Sequence, residues 1–305
     1  MKPLARAVLA ATLALAATDA SAQASAARLA TGCRLRIDSN GSNWMIQGYD
    51  PFASNQSTAT FDVMFFNEGD GECRFRPVFM TDGTPFGLQA DTGRRVGYTL
   101  LDTWGSYDAT PLGGRTIARI TNRPVVVSPG AQQLVRYVLN VAAGEIPGDG
   151  IYSQRLIMEA DQTDGTPIAS RQFLVGIQVI PSATMRLAGA FRRNGGQADV
   201  DLGELQQGVA PVPLALQVQS TRGYRLGLRS QNGGKLRLAG TDWWVPYDVQ
   251  IDGRTATLTG DSSLSFGRGG GLRADTLPVV FRVGDVDGKR AGVYSDVLTV
   301  SVAVE

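Results

Sequence analysis

The chain has 305 residues, 43% of them hydrophobic and 19% charged, with 29 basic and 28 acidic side chains. This balance excludes a polyanion such as nucleic acid as the partner, because that binding rests on a clear positive excess. There is no histidine, and the lysines are Lys2, Lys235 and Lys289, so the usual general base, the usual metal ligand and amine catalysis are absent or scarce; the composition points away from an enzyme, and no cofactor or metal is expected.

The first 22 residues read as an export leader. Lys2 and Arg6 make a basic start, residues 7–17 form an apolar run too short to span a bilayer, and Ala20-Ser21-Ala22 matches a small-residue cleavage pattern. Ala24-Ser25-Ala26 offers a second cut. Export implies an oxidising compartment, in which the lone cysteine pair, Cys33 and Cys73, is expected to join. A bridge closing a loop of that length stabilises by about 3–4 kcal/mol. A catalytic or redox thiol is disfavoured, because neither a C-x-x-C spacing nor a histidine partner exists.

Beyond the leader the chain reads as strands. Phe61, Val63 and Phe65 alternate with Asp62 and Met64; Leu214, Leu216 and Val218 do the same, as do Leu226 with Leu228 and Leu236 with Leu238. Val297, Thr299 and Ser301 alternate with Leu298, Val300 and Val302. Turn sequences such as Asp82-Gly83, Asn232-Gly233-Gly234 and Asp287-Gly288 separate the runs. Many short strands between regular turns indicate an all-β sandwich, with a barrel as the alternative.

An internal repeat sets the organisation. Gly150-Ile151-Tyr152-Ser153-Gln154-Arg155-Leu156 recurs as Gly292-Val293-Tyr294-Ser295-Asp296-Val297-Leu298, and Val96-Gly97-Tyr98 has a looser echo in Val245-Pro246-Tyr247. Two related β-domains are expected, residues 23–181 and 182–305, joined near Pro181-Ser182-Ala183. Tyr152 and Tyr294 are placed to bond back to the preceding loop, as in a tyrosine corner.

The two copies end differently. After Gly150-Ile151-Tyr152 come a turn and a further apolar strand, residues 173–180; after Gly292-Val293-Tyr294 the sequence stops at Glu305. The second domain is therefore expected to lack its last strand. About five inward apolar positions at ~2 kcal/mol each would be left uncovered. That total rivals the stability of a whole domain and leaves an edge that invites a strand from another chain.

Tyr49-Asp50-Pro51-Phe52, the Cys33/Cys73 pair, the Tyr247-Asp248 strand and the terminal Ala291-Gly292-Val293-Tyr294-Ser295-Asp296-Val297-Leu298-Thr299-Val300 together resemble the spore coat protein U-like family. The resemblance covers nearly all of the chain beyond the leader, in two copies. It implies two immunoglobulin-like β-sandwiches in tandem, the C-terminal one incomplete, as in subunits of archaic chaperone–usher pili. A periplasmic chaperone would lend the missing strand, an outer-membrane usher would assemble the fibre, and the next pilin subunit would supply the permanent strand. Tyr294, Leu298, Val300 and Val302 would then line the donor-strand acceptor groove.

Two-domain members of such systems are tip adhesins, which implies transit through the periplasm to the cell surface at the fimbrial tip. The segment Gln23 to Gly32 is short and rich in alanine, a poor donor strand, as suits a terminal subunit. On an immunoglobulin-like strand order, loops near 67–71, 102–131 and the turn before the closing strand share the distal end. They carry Trp104, Tyr107, Pro111, Leu112, Pro167 and Ile168, a candidate surface-binding set, with adhesion to surfaces in biofilm formation as the family's implication. Inward packing of Trp104 and Leu112 is the competing reading. Two other functions stay open: a structural spore-coat or pilus-shaft subunit, and a secreted carbohydrate-binding module.

Remaining motifs read as local structure. Asp91-Thr92-Gly93 has no second Asp-Thr-Gly to share a proton and reads as a turn. Asp285-Val286-Asp287-Gly288 lacks the rest of a calcium loop. Gly269-Gly270-Gly271 reads as a flexible loop, Trp243-Trp244 as core or interdomain packing with an exposed platform as the alternative, and Arg222, Arg225, Arg229, Lys235 and Arg237 as a solvent-facing row, with an acidic patch of the chaperone or usher as its alternative partner.

Overall fold

The structure is a computed structural model and describes residues 32–305 apart from 40, 54–56 and 91–92. The leader, its cleavage sites, the segment before Gly32 and Asp91-Thr92 lie outside the described residues. Among the described residues there is no α-helix, only two 3-10 turns at Arg115–Ile117 and Ala143–Glu145.

The first half contains β1 (Leu35–Ser39), β2 (Asn43–Tyr49), β3 (Thr58–Asn67), β4 (Cys73–Thr81), β5 (Leu88–Gln89), β6 (Arg95–Val96), β7 (Tyr98–Asp102), β8 (Tyr107–Asp108), β9 (Val125–Val127), β10 (Gln132–Val141), β11 (Gly150–Asp161) and β12 (Pro167–Val179). The second contains β13 (Ala183–Gly189), β14 (Arg192–Asn194), β15 (Gln197–Asp199), β16 (Gly208–Val209), β17 (Leu214–Ser230), β18 (Lys235–Leu238), β19 (Trp244–Ile251), β20 (Arg254–Ala256), β21 (Ser262–Val283), β22 (Tyr294–Ser295) and β23 (Leu298–Val304).

Two sheets build the first half, ordered β1-β3-β10-β7-β8 and β2-β12-β11-β4-β9. Alternation decides which residues meet between them: Val135, Tyr137, Leu139 and Val141 of β10 face Tyr152, Leu156, Met158 and Ala160 of β11, all buried. Trp44 on β2 fills the centre, its ring 5.3 Å from Phe61, 4.6 Å from Phe173 and 5.8 Å from Tyr137. The Cys33–Cys73 disulfide forms, with Cα atoms 4.9 Å apart, tying the chain before β1 to the start of β4. The closing strand β12 lies between β11, antiparallel, and β2, parallel. Gly176 permits that approach, since a Cβ there would stand 2.3 Å from the Tyr152 carbonyl oxygen.

A second buried cluster is centred on Val218, Tyr224, Leu226, Val249 and Ile251. Its frame is the pair β17 and β21. The runs Leu214–Val218 and Leu226–Leu228, which look separate in sequence, belong to one strand with register shifts around Arg222. The half before the shifts pairs with β13, and the half after it pairs with β23. The glycine-rich 269–271 stretch is likewise no flexible loop but part of β21. Gly267, Gly269 and Gly271 adopt positive φ there, and Gly270 pairs with Arg222.

The two halves are tied at several points. Arg222 clasps Asp149 through two nitrogens, Nε to Oδ1 at 2.9 Å and Nη2 to Oδ2. Ser182 Oγ donates to Asp50 at 2.7 Å, and the Leu272 N–H donates to the Pro147 carbonyl at 2.7 Å. No helix among the described residues is long and apolar enough to cross a membrane.

Candidate functional site

The repeat read from sequence has the same chemistry in both copies. Tyr152 Oη donates to the Gly148 carbonyl at 3.1 Å, and Tyr294 Oη donates to the Arg290 carbonyl at 2.7 Å. Both are tyrosine corners spanning four residues. Two positions further on, Gln154 accepts from Tyr98 Oη at 3.0 Å, and Asp296 accepts from Tyr247 Oη at 2.6 Å. β11 and the β22–β23 segment are therefore equivalent strands, which permits a comparison position by position.

That comparison exposes the difference that matters. β11 has β4 on one edge and β12 on the other. β23 has β17 on one edge, and among the described residues no strand on the other. Burial follows pairing. Leu156, Met158 and Ala160 are 0% exposed, whereas Leu298, Val300 and Val302, 142 positions later, pack against the second core but stay half-buried. Met185 and Leu187 of β13 and Tyr294 are half-buried around the same core.

The edge is also unprotected. Exposed sheet edges are usually blunted by lysine, proline, a bulge or an inward charge. β23 reads Leu298-Thr299-Val300-Ser301-Val302-Ala303-Val304 and carries none of these residues. An uncharged edge with one apolar face is a template for β-strand addition. Its far end is fastened: Glu305 accepts from Ser265 Oγ at 2.6 Å and Arg225 Nε at 3.0 Å. These bonds, Ser265 first, hold its carboxyl below the usual carboxylate value.

At the other end of the molecule, β11 runs from the Asp149 clasp to Asp161, about 35–40 Å at the usual strand rise. The turn after it meets the loop between β8 and β9. Arg115 of that loop pairs with Asp161 at 2.8 Å and also with Glu159, and donates to the Gly165 carbonyl at 3.2 Å. Leu112, Ile117 and Ile120 are 43%, 56% and 51% exposed on this flank.

Of the sequence-derived surface set, Leu112 and Pro167 are exposed. Trp104, Tyr107 and Ile168 are half-buried against the first core, and Pro111 is buried. Ile117, Ile120 and the arginines around them carry no motif, and only the exposure of isoleucine between arginines marks them. Trp243 and Trp244 differ from the packing expectation. They are 42% and 36% exposed, and the Lys235 and Lys289 ammonium groups lie 4.4 and 5.0 Å from the Trp244 ring. The basic row is not a free surface throughout either, since Arg222 and Arg225 hold Asp149 and Glu305.

Among the described residues no group of three or more His, Cys, Asp or Glu side chains is placed to hold a metal ion. A crevice of about 460 Å³ at the joint contains Asp149 and Glu305, both already engaged by arginines.

The geometry defines an all-β protein of immunoglobulin-like sandwiches in which, among the described residues, β23 is paired on one side and its counterpart β11 on both. No protein-family profile and no curated protein matches the chain. Solved structures similar to it include the CupB6 tip adhesin from Pseudomonas aeruginosa, at 12% identity over 89% of this chain and 95% of that one, with a TM-score of 0.42. Another is the CsuC–CsuE chaperone–tip adhesion subunit pre-assembly complex from archaic chaperone–usher Csu pili of Acinetobacter baumannii, at 12% identity, 88% and 99% coverage and a TM-score of 0.44. A third is CfaE, the adhesive subunit of CFA/I fimbria of enterotoxigenic Escherichia coli, at 10% identity, 87% and 93% coverage and a TM-score of 0.33.

Proposed function

We propose that the chain is a non-enzymatic tip adhesin of a chaperone–usher pilus. Residues 1–22 direct export, 23–181 form the adhesin domain, and 182–305 form the pilin-like domain. The observation that carries the reading is the contrast between β11, covered on both edges, and β23, covered on one. An exported protein with such an edge needs a partner strand, first from a periplasmic chaperone and then, once the outer-membrane usher has delivered it, from the next pilin subunit. The receiving groove is lined by Tyr294, Leu298, Val300 and Val302. The opposite flank, with Leu112 and Pro167 at its surface and Trp104, Tyr107, Pro111 and Ile168 beneath, then faces outward at the fimbrial tip. Exposed apolar side chains on a loop far from the joint fit adhesion to an apolar surface.

The test is to refold residues 23–305 with and without a ten-residue alternating apolar strand fused after Glu305. The proposal expects aggregates or mixed oligomers from the bare chain and a cooperative monomer from the fused one. A bare chain that is already monomeric, with β23 fully protected, would overturn it.

A further inference from the structure

The loop from Leu112 to Pro124 exposes apolar side chains and ties down its arginines. Its isoleucines and Leu112 face solvent, while its three arginines are turned onto the body of the protein. Arg115 holds Asp161, Glu159 and the Gly165 carbonyl. Arg119 holds Asp108. The guanidinium of Arg123 lies 4.3 Å from the Trp104 ring centre and donates to the Trp104 carbonyl at 3.2 Å.

The groups that receive them are themselves braced. Asp161 is buried, at 6% side-chain exposure. Asp108 also accepts from the Thr110 N–H at 3.0 Å. Trp104 stands on a turn built by Asp102, whose Oδ1 accepts from the N–H groups of Trp104 and Gly105 at 2.8 and 2.9 Å. The spacing of four residues between the arginines is not helical, because only Arg115–Ile117 makes a single 3-10 turn. Each arginine instead reaches a different anchor along an irregular chain. A surface loop ordinarily exposes arginine and hides isoleucine, since isoleucine loses by facing water and arginine loses by leaving it. Here ion pairs and one cation–π contact tie down arginines that stay partly exposed, Arg115 at 44% of its side chain, beside isoleucines left facing solvent.

We infer that Arg115, Arg119 and Arg123 are positioning residues. They pre-organise Leu112, Ile117 and Ile120 as a fixed apolar face, so that adhesion does not have to order the loop. This rests on the adhesin reading above.

The sign of one substitution series tests it. Replacing a surface arginine by methionine raises apolar area, so a merely hydrophobic surface should bind an apolar solid more strongly. The inference expects the opposite. In the full mature chain, R115M, R119M and R123M should each lower retention on polystyrene beads by at least about fivefold, the scale of one lost ion pair or cation–π contact together with renewed loop ordering. The unfolding midpoint should stay unchanged in R119M and R123M and fall in R115M, which strands the buried Asp161 carboxylate, and amide exchange over residues 112–120 should rise in all three. The conservative R119K, which can still pair with Asp108, should keep the retention and protection that R119D loses.

Unchanged or increased retention in the methionine variants, with the loop loosened, would overturn the inference. The triple change L112S/I117S/I120S separates the two claims. If it leaves retention intact, the adhesive flank itself is wrong; if it abolishes retention while the arginine variants bind normally, only the positioning role fails.

Discussion

Tyr247 donates a 2.6 Å hydrogen bond to Asp296, and Tyr98 makes the matching 3.0 Å bond to Gln154 one repeat earlier. Both acceptors do more: Gln154 also accepts from the Gly87 N–H at 3.1 Å and donates to the Pro85 carbonyl at 2.8 Å. Asp296 also accepts from Ser230 Oγ, the Asn232 N–H at 3.0 Å and the Val297 N–H at 2.8 Å. One carboxylate therefore fixes the end of β17, the turn after it and the entry into β23. Burial and this bond push the Tyr247 phenol well above its usual pKa.

Removing the phenol should loosen the start of the open edge. Tyr247→Phe leaves a buried-side oxygen of Asp296 short of a partner, at about 1–3 kcal/mol. The expected result is a lower denaturant midpoint for the second domain and faster amide exchange at residues 296–300. A change confined to the first domain would contradict the assignment of this pair as the brace of β23.

The disulfide anchors the first sandwich. Cys33→Ser with Cys73→Ser reopens a link spanning 40 residues, which should cost about 3–4 kcal/mol on chain-entropy grounds. Trp44 lies in the first core, so amide exchange over β2–β4 should show an earlier transition while β17–β23 exchange stays unchanged.

The joint should hold the two halves together. Asp149 is almost fully buried, with 5% side-chain exposure, and its partner Arg222 is about a third exposed. Asp149→Ala strands that guanidinium beside the β17 bend, at a cost of about 1–3 kcal/mol once screening on the exposed side is allowed for. Gly148→Ala attacks the same contact by shape, since its Cβ would stand 3.0 Å from the Gly271 nitrogen. Both changes should speed protease cleavage near Pro181 and broaden the scattering profile. Wild-type cleavage in both would show that the joint tolerates loss of this contact.

Acid should release the far end of β23. The Glu305 carboxyl is held below its ordinary value of 4.5, first by Ser265 and then by Arg225. A depressed carboxyl contributes fully above the ordinary value and loses that contribution as the pH falls through the lower folded one. The Glu305 N–H, which donates to the Gly223 carbonyl at 2.9 Å, should lose protection in that acid window after correction for intrinsic exchange. Ser265→Ala should move the loss to higher pH; an unmoved titration would contradict the stated cause.

Much of the architecture was legible because period-two alternation carries its own burial instruction. Phe61-Val63-Phe65 and Leu226-Leu228 fall where alternation places them, on strands, and the paired Gly-x-Tyr-Ser segments fold into equivalent corners. What alternation cannot carry is strand continuity. Nothing in Ser220-Thr221-Arg222-Gly223 tells a bend from a break, and the answer depends on β21 and on Asp149 of the other half.

The distal face was legible only in part, for a related reason. Aromatic residues on a long loop attract attention, yet Trp104 is half-buried beneath Arg123. The exposed apolar positions, Ile117 and Ile120, stand beside arginines in sequence and look shielded by them. Their exposure depends on where Asp161 and Asp108 stand, which only the folded chain fixes.

The most direct measurement is amide exchange on β23 in the intact mature chain, with and without a free ten-residue peptide of alternating apolar residues. An acceptor edge predicts that the amides of Leu298, Val300 and Val302, which alternate with the β17-bonded ones and so point to the open side, gain protection when the peptide binds, with saturation at one peptide per chain. Protection already complete without peptide, or peptide binding that leaves β23 unchanged, would contradict the account.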